Sequence, residues 1–502
     1  MTKREDKIAF ISLVLFVFLF LLFSGTLNSG YHFVDDHEVI KIKNELKTSS
    51  LIAVSKSWVK EDLKNNGRFR PFYYVHRVIE TRVFGSDFFL WSLYTGILWC
   101  MTLIFFYSGM RKLKFNVEES IIFLIVTFIG PQCSVWWRLG PGESLGMVLL
   151  ALSFYFMSKS LDKENYFINN LYFVFFLVLC SLTKESFLII IPAISVFKIW
   201  NEKIFIWSSL KESVFKNLIL VIPLMIFTIE LFIIKNYVGI TYAGLDTSFT
   251  NNVTSILSTS LHFVKTYLNL LIVGFVLFIV SGYIKKLPIK ISLLPVIFFL
   301  LIIAPNIVLY AKSALVERYL LPSSFGLGFF VASVIKGIEK DPVWFKKMAL
   351  TLVIISFLPY MVSSFTDALK FSKEGYSTKK LLSAISTNYS TGSQTLVIVD
   401  PVEHYEKSVS LKTYLFYEDK IDLFGYAMAK KENNADYQGY VDGWKSYFKG
   451  RQYENLTSKP EILIFLDNKM VDSFFINSGL FRNEYSPVEI GNSPFALFRE
   501  IK

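Results

Sequence analysis

The sequence predicts an α-helical polytopic membrane protein with a small C-terminal α/β domain. Three observations carry that expectation. Of 502 residues, 53% are hydrophobic and only 19% are charged, whereas an average soluble domain carries roughly 25% charged residues. Long apolar runs recur as far as Met361, and mean hydropathy over the whole chain is +0.45. Beyond about Asp367 the composition becomes that of a soluble domain. These values exclude a disordered chain, a coiled coil and an ordinary cytosolic enzyme. The formal net charge of +11 is spread over short loops between apolar runs. That distribution fits membrane lipids as partners and excludes nucleic acid.

A helix needs about 20 mostly apolar residues to cross the hydrocarbon core, and about eleven segments approach that length. They lie near Ile8–Phe23, Phe88–Met110, Ile121–Gly130, Leu145–Met157, Phe167–Cys180, Phe187–Trp200, Leu218–Ile234, Leu261–Tyr283, Ile291–Tyr310, Tyr319–Ile335 and Ala349–Met361. The shorter ones must borrow flanking residues, tilt or re-enter. The first run follows MTKREDK, which alone reads as a signal peptide. The many later spans favour an uncleaved anchor. Cys100, Cys133 and Cys180 form no CxxC pattern, so neither a disulfide framework nor a zinc site is expected.

Orientation follows from the excess of Lys and Arg in cytoplasmic loops. With Lys3, Arg4 and Lys7 inside, the even turns hold Arg111, Lys112 and Lys114; Lys159 and Lys163; Lys198, Lys203, Lys211 and Lys216; Lys285, Lys286 and Lys290; and Lys336, Lys340, Lys346 and Lys347. The opposite turns hold only Arg138, Lys184, Lys235, Lys312 and Arg318. The N-terminus is therefore expected in the cytoplasm and the C-terminus outside. Residues 1–366 form the membrane module, with an outer loop at 24–87, and residues 367–502 form the extracytoplasmic domain. In the loop, Val39, Ile40, Ile42 and Leu46 mark one amphipathic helix, and Tyr73, Val75, Val78, Ile79 and Val83 mark another; such helices tend to lie on a membrane surface. In the tail, Thr395–Asp400, Glu461–Asp467 and Phe495–Glu500 read as strands, with helical patterns near Glu406–Tyr417 and Ala435–Phe448.

The distinctive polar clusters all fall on the outer side: YHFVDDHEV (Tyr31–Val39), NGRFRPFYY (Asn65–Tyr74), WWRLGPGES (Trp136–Ser144), LTKES (Leu182–Ser186) and VERYLLP (Val316–Pro322). An active site needs several polar groups converging on one pocket. Asp35 or Asp36 is a candidate general base, and Asp35 with Glu38 also has the spacing of a capping box. A divalent metal on Asp, His and Glu of this segment is chemically conceivable, but the spacing does not favour it. The outer cations Arg68, Arg70, Arg138, Lys184 and Arg318 suit an anionic substrate, because Arg binds phosphate bidentately and Lys binds it as a point charge. Each alone also fits snorkelling at a helix end. Glu38, Glu143 and Glu317 are accessory candidates. Trp136 and Trp137 read as an interfacial aromatic belt, and Gly140, Pro141 and Gly142 as a turn. His76 and His262 stay unassigned, and the sequons NNVT, NYS and NLT carry little weight.

Taken in order, these five segments resemble the GT-C glycosyltransferases, polytopic enzymes whose donors are polyprenyl-phosphate sugars. FVDDHEV matches their acidic pair after the first membrane helix. The other segments look like patterns of bacterial members, including O-antigen-modifying, serotype-conversion enzymes. The resemblance covers roughly residues 1–365 and leaves the C-terminal domain unmatched. It departs at Asp36, where many members have Glu, so either acid fits the base role. What it implies is an inverting transfer of a sugar from a polyprenyl-phosphate donor to a hydroxyl of a lipopolysaccharide-type glycan. The reaction would take place on the outer face of the bacterial inner membrane. An outward-facing site cannot use nucleotide sugars made in the cytoplasm, and a lipid-carried donor solves that supply problem. An O-antigen polymerase or ligase, or a lipid-linked oligosaccharide flippase, is the alternative. The rim position of the charges and the lack of matching halves speak against transport.

The topology has a direct check. Reporter fusions at Lys163 and Lys286 should report the cytoplasm, and a fusion at Lys502 the exterior. A cytoplasmic signal at Lys502 would overturn the orientation.

Overall fold

A computed structural model describes residues 3–161, 165–202, 217–236, 249–284, 293–311, 317–338, 343–389, 394–428, 435–491 and 493–501. Lys163, Lys203, Lys211, Lys216, Lys285, Lys286, Lys290, Lys312 and Lys340, which contribute to the predicted orientation, lie outside the described residues. The chain divides into two compact units. One comprises Met1–Ser24, Ser55–Arg77 and Ser92–Ala368; the other comprises Gly25–Val54, Val78–Trp91 and Leu369–Lys502.

The first unit is helical, and the described part of every predicted apolar segment lies mostly on helix. Among the described residues, four helices are long and apolar enough to cross a membrane: Arg4–Phe23, Phe88–Lys112, Arg318–Gly337 and Val343–Asn388. The predicted segment Leu261–Tyr283 is not straight. It spans a break between Thr250–Thr266 and Leu268–Leu277 with a 68° bend. The predicted segment Phe187–Trp200 is likewise broken, into Glu185–Leu188 and Ile191–Glu202. Both breaks interrupt apolar sequence, which is why hydropathy alone reads each as one span. Helix Val117–Phe128 starts at a full capping box, in which Asn116 Oδ1 accepts the Glu119 N–H at 2.8 Å and Glu119 Oε2 accepts the Asn116 N–H at 2.9 Å. Aromatic rings fill the bundle interior: Phe106 lies 5.2 Å from Phe325 and 5.5 Å from Phe123, and Phe197 lies 4.7 Å from Phe298. In the absence of a hydrophobic drive between helices in lipid, such packing holds the bundle together.

The second unit is an α/β layer structure. Its five strands are β1 Thr395–Val399, β2 Leu423–Ala427, β3 Ile462–Phe465, β4 Tyr485–Val488 and β5 Ala496–Glu500, in the order β2-β1-β3-β5-β4. β1 pairs in parallel with both β2 and β3, whereas β5 pairs antiparallel with β3 and β4. The three predicted strands are present. β2 and β4 (LFGYA and YSPV) have no continuous apolar run, and sequence pattern misses them. One sheet face, through Val397, Val399 and Ile464, packs on Leu411, Trp444 and Phe448; the other, through Ile398 and Phe465, packs on Val471 and Phe474. Segments of the predicted outer loop also belong to this unit. Tyr31 packs on Tyr414 at 4.8 Å, and its hydroxyl lies 2.6 Å from Ser410 Oγ. The loop contains a third helix, Leu51–Asn66, between the two expected ones. Its mixed face gives a weak periodic signal.

Two glycines of this unit make opposite predictions. A Cβ on Gly425 would press into the Trp444 and Phe448 rings, whereas one on Gly439 would meet nothing within 4 Å. Gly425→Ala should destabilise the fold by about 1–3 kcal/mol through overpacking. Gly439→Ala, in the helix Ala435–Tyr447, should stabilise it by up to about 1 kcal/mol. Thermal unfolding of the two purified variants checks the contrast.

Candidate functional site

The first unit brings four of the five predicted cations into one charged cluster. At its centre Lys184 Nζ donates to Glu143 Oε1 at 2.5 Å, with both side chains nearly fully buried. Arg318 Nε lies 4.0 Å from the same oxygen. Lys184 Nζ also sits 4.1 Å from the centroid of the Tyr319 ring, and Tyr319 stacks on Tyr310 at 4.3 Å. Cation–π contact suits a buried ammonium because it replaces lost hydration with the ring quadrupole. Arg70 forms a two-nitrogen contact to Asp62 Oδ2, from Nε at 2.9 Å and from the second guanidinium nitrogen at 2.8 Å. Its guanidinium lies 5.4 Å from the Tyr73 centroid and 5.8 Å from that of Tyr74. Glu185 joins the two halves, feeling Arg70, Lys184 and Arg68 together.

The backbone that positions these groups is locally specified. Pro141 ends the turn before helix Gly142–Ser160 and leaves Glu143 in the first helical turn, where a carboxylate is favoured by the helix dipole. Gly140 has φ +60°, and any Cβ there would overlap the Arg77 guanidinium. Both facts require glycine. The Phe72 N–H donates to Leu182 O at 3.1 Å, tying the start of helix Pro71–Phe84 to the Lys184 turn. The short helical turns Pro131–Trp136 and Glu317–Leu320 pack on each other, so Arg138 and Arg318 extend from adjoining segments.

Among the described residues the cluster is electrostatically positive. Arg68, Arg70, Lys184 and Arg318 outnumber Asp62, Glu143 and Glu185, and Arg77 lies buried beneath Gly140. Burial alone would raise both glutamates, but the cations outweigh it. Glu143 is held below the ordinary carboxylate value by Lys184 and Arg318, and Glu185 is lowered to about 2 by Arg70, Lys184 and Arg68. Both therefore stay ionised at neutral pH. Arg138 differs from the other cations. Its side chain is half-buried and has no hydrogen-bond or ion-pair partner among the described residues, and its Nε is shielded from solvent. A guanidinium held that way is ready for an incoming anion. The Glu317 side chain lies outside the described residues.

Trp136 and Trp137 are not an interfacial belt. Trp136 stacks on Trp99 at 5.7 Å and Trp137 on Phe20 at 5.6 Å, both buried. The Pro131–Trp136 turn folds inward, and packing area outweighs the preference of an indole for the interface. Arg77 escaped sequence reasoning, because nothing in the sequence of helix Pro71–Phe84 marks this one of its polar positions as buried.

The acidic pair lies in the second unit, where its two members are in different environments. Helix His37–Glu45 begins after Asp36, whose backbone is already helical and whose side chain makes no cap hydrogen bond. The helix therefore starts one residue later than a cap at Asp35 would place it, and the backbone of Asp35 itself is left-handed. Asp36 instead turns back: its Oδ2 accepts the His32 N–H at 2.8 Å and lies 3.7 Å from His32 Nδ1, with the side chain buried. His32 is itself fixed, stacked on Phe371 at 3.7 Å with Nε2 3.0 Å from Phe371 O. Asp35 is half-exposed, with φ +66°. A non-glycine residue in that left-handed region is uncommon and marks a position held by its surroundings. Glu38 is half-exposed in the first helical turn. Among the described residues no three His, Cys, Asp or Glu side chains converge with metal-binding geometry.

No family model matches the sequence, and no curated protein matches it. The structure is similar to that of ArnT from Cupriavidus metallidurans, solved bound to undecaprenyl phosphate. The TM-score is 0.52 at 11% identity, over 100% of this chain and 99% of that one. The likeness is one of fold: a polytopic helical architecture that matches over the whole length of both chains.

The buried carboxylates predict a pH dependence. A carboxylate with a depressed folded-state value stabilises the fold above its unfolded value of about 4.3. That contribution is lost as pH falls through the folded value, about 2 for Glu185. The contribution of these carboxylates to the thermal midpoint should be flat from neutral pH to about 5 and fall below about 4. Glu185→Gln should lower the midpoint at neutral pH and flatten its decline in acid. An unchanged acid slope in that variant would show that Glu185 is not coupled to the cations.

Proposed function

We propose that the protein is an inverting glycosyltransferase. It moves a sugar from a polyprenyl-phosphate donor to a hydroxyl of a cell-surface glycan, such as O-antigen, at the outer face of the bacterial cytoplasmic membrane. The observation that carries this reading is the positive cluster built around the Glu143–Lys184 pair, with Arg138 beside it lacking a carboxylate partner among the described residues. The fold adds support, since a protein of the same architecture is bound to undecaprenyl phosphate. So does an apolar cavity of about 290 Å³ in the first unit, lined by Leu13, Phe16, Phe20, Trp99, Phe128 and Met361 among others. Its hydrocarbon walls suit isoprene units.

The chemistry divides into two tasks. The leaving group is a lipid phosphate, which departs as an anion and needs positive charge more than a proton donor. Arg138, Arg318 and Lys184 supply that charge, with Arg70 and Arg68 behind them; the carboxylates among them fix the cations in place. The second task is to remove a proton from the acceptor hydroxyl. We assign it to Asp35, which is half-exposed, and assign to Asp36 the role of holding the loop through His32. Attack from the face opposite the phosphate inverts the anomeric centre, so a single carboxylate suffices. Glu38 and Glu143 assist by shaping their respective surroundings. The reading assigns no resident cofactor.

Purified protein given a radiolabelled prenyl-phosphate sugar and a glycan acceptor tests the reading. Asp35→Asn should lower transfer on the order of 100-fold or more. Asn is well tolerated in the left-handed region, so the fold should persist. Arg138→Gln should weaken donor binding by about tenfold. Wild-type transfer by Asp35→Asn would remove the base assignment. Unchanged donor binding in single Gln variants of all five cations would remove the phosphate assignment.

A further inference from the structure

The second unit contains a crevice that the transfer chemistry does not use. β1 and β3 are parallel neighbours and end at the same edge of the sheet. Their continuations diverge. The chain after β1 leads to helix Tyr405–Tyr414, whose Leu411 packs with Val397 and Val399. The chain after β3 leads to helix Val471–Asn477, whose Phe474 packs with Ile398 and Phe465 on the opposite face. Where adjacent parallel strands send their connections to opposite faces, a gap opens at the carboxyl ends. Here it is a cavity of about 430 Å³, large enough for one or two sugar rings by the usual scale of ligand pockets.

Its lining selects the ligand. Asp400, Glu403 and His404 come from the β1 loop, and Asp467, Lys469 and Ser473 from the β3 loop. Three carboxylates against one lysine repel phosphates and other anions. Metal chelation fits poorly, because no three of these carboxylate and imidazole groups reach metal-binding geometry. The remaining chemistry is hydroxyl recognition, with carboxylates accepting and the imidazole donating. His404 is 93% buried, and its Nδ1 accepts the Asp400 N–H at 3.2 Å. That bond leaves the proton on Nε2, which has no partner among the described residues. Burial, aided by Lys407, holds the ring below its ordinary value and therefore neutral at pH 7. Met428 and Met470 give the cavity adaptable apolar surface.

We propose that this crevice binds an uncharged sugar unit of a glycan, with Asp467 and Asp400 accepting its hydroxyls and His404 donating to it. The site belongs wholly to the second unit and stands or falls apart from the transferase reading.

The test uses the full-length protein in a detergent without a sugar headgroup. D-glucose, D-galactose, D-mannose and N-acetyl-D-glucosamine are titrated singly and observed by saturation-transfer NMR. At least one should bind with a Kd of a few millimolar, and Asp467→Asn should weaken it about tenfold. Asp467→Asn keeps the oxygen that caps Lys469 N–H, so the loop should hold. Ser473→Leu, at an exposed helix position, should abolish binding by filling the cavity without touching the core. Prenyl-phosphate donor binding should be unchanged in both variants. The inference is overturned if no probe binds below about 50 mM, or if both variants bind as the wild type does. It is also overturned if Ca²⁺ rather than a sugar raises the thermal midpoint in an Asp467-dependent manner.

Discussion

The buried pair between Lys184 and Glu143 is the interaction on which the first unit's polar architecture depends. It joins the turn before the Glu185–Leu188 helix to the start of the Gly142–Ser160 helix. Through Tyr319 and Arg318 it reaches a third segment, and through Glu185 and Arg70 a fourth. Charges buried in an apolar bundle cost several kcal/mol each unless paired. Removing one partner would strand the other, so each group in the cluster constrains its neighbours. Such a network is a weak source of net stability but a strong source of geometric definition.

The same constraint recurs elsewhere in this unit in simpler form. Glu119 caps its helix with Asn116 and accepts Lys346 Nζ at 2.5 Å. Asp6 Oδ1 accepts from the Tyr107 hydroxyl and from Arg111 Nε, each at 2.8 Å. Each is a small set: one anion, its cation and a neutral donor. Among the described residues the Glu143 cluster differs in having more cations than anions, an excess that an added anion would balance.

How much of this was legible depended on the kind of signal. Hydropathy located every apolar segment because lipid leaves a helix little choice of residue. It could not see the bend near Tyr267 or the break after Leu188, since both lie within apolar sequence. The cations were legible as a set through their shared side, and Arg68, Arg70, Lys184 and Arg318 do converge. The carboxylates that pair with them, Asp62 and Glu185, were not legible as partners. Their contacts join residues more than a hundred positions apart for Glu185, or lie on a helix that was not expected for Asp62. The difference between Asp35 and Asp36 was invisible for another reason. Two identical side chains, adjacent in sequence, are told apart only by backbone dihedrals and by the position of His32.

The left-handed backbone at Asp35 sets the interests of the fold against those of the proposed chemistry. Glycine occupies that conformation with less strain than aspartate, and asparagine about as readily as aspartate. Selection for folding alone would drift the position toward either, and each would leave the loop intact while removing its basicity. Among distant chains of this architecture, the residue with this dihedral would tell whether a carboxylate can stand at that place in the loop at all, even where no overall sequence likeness survives.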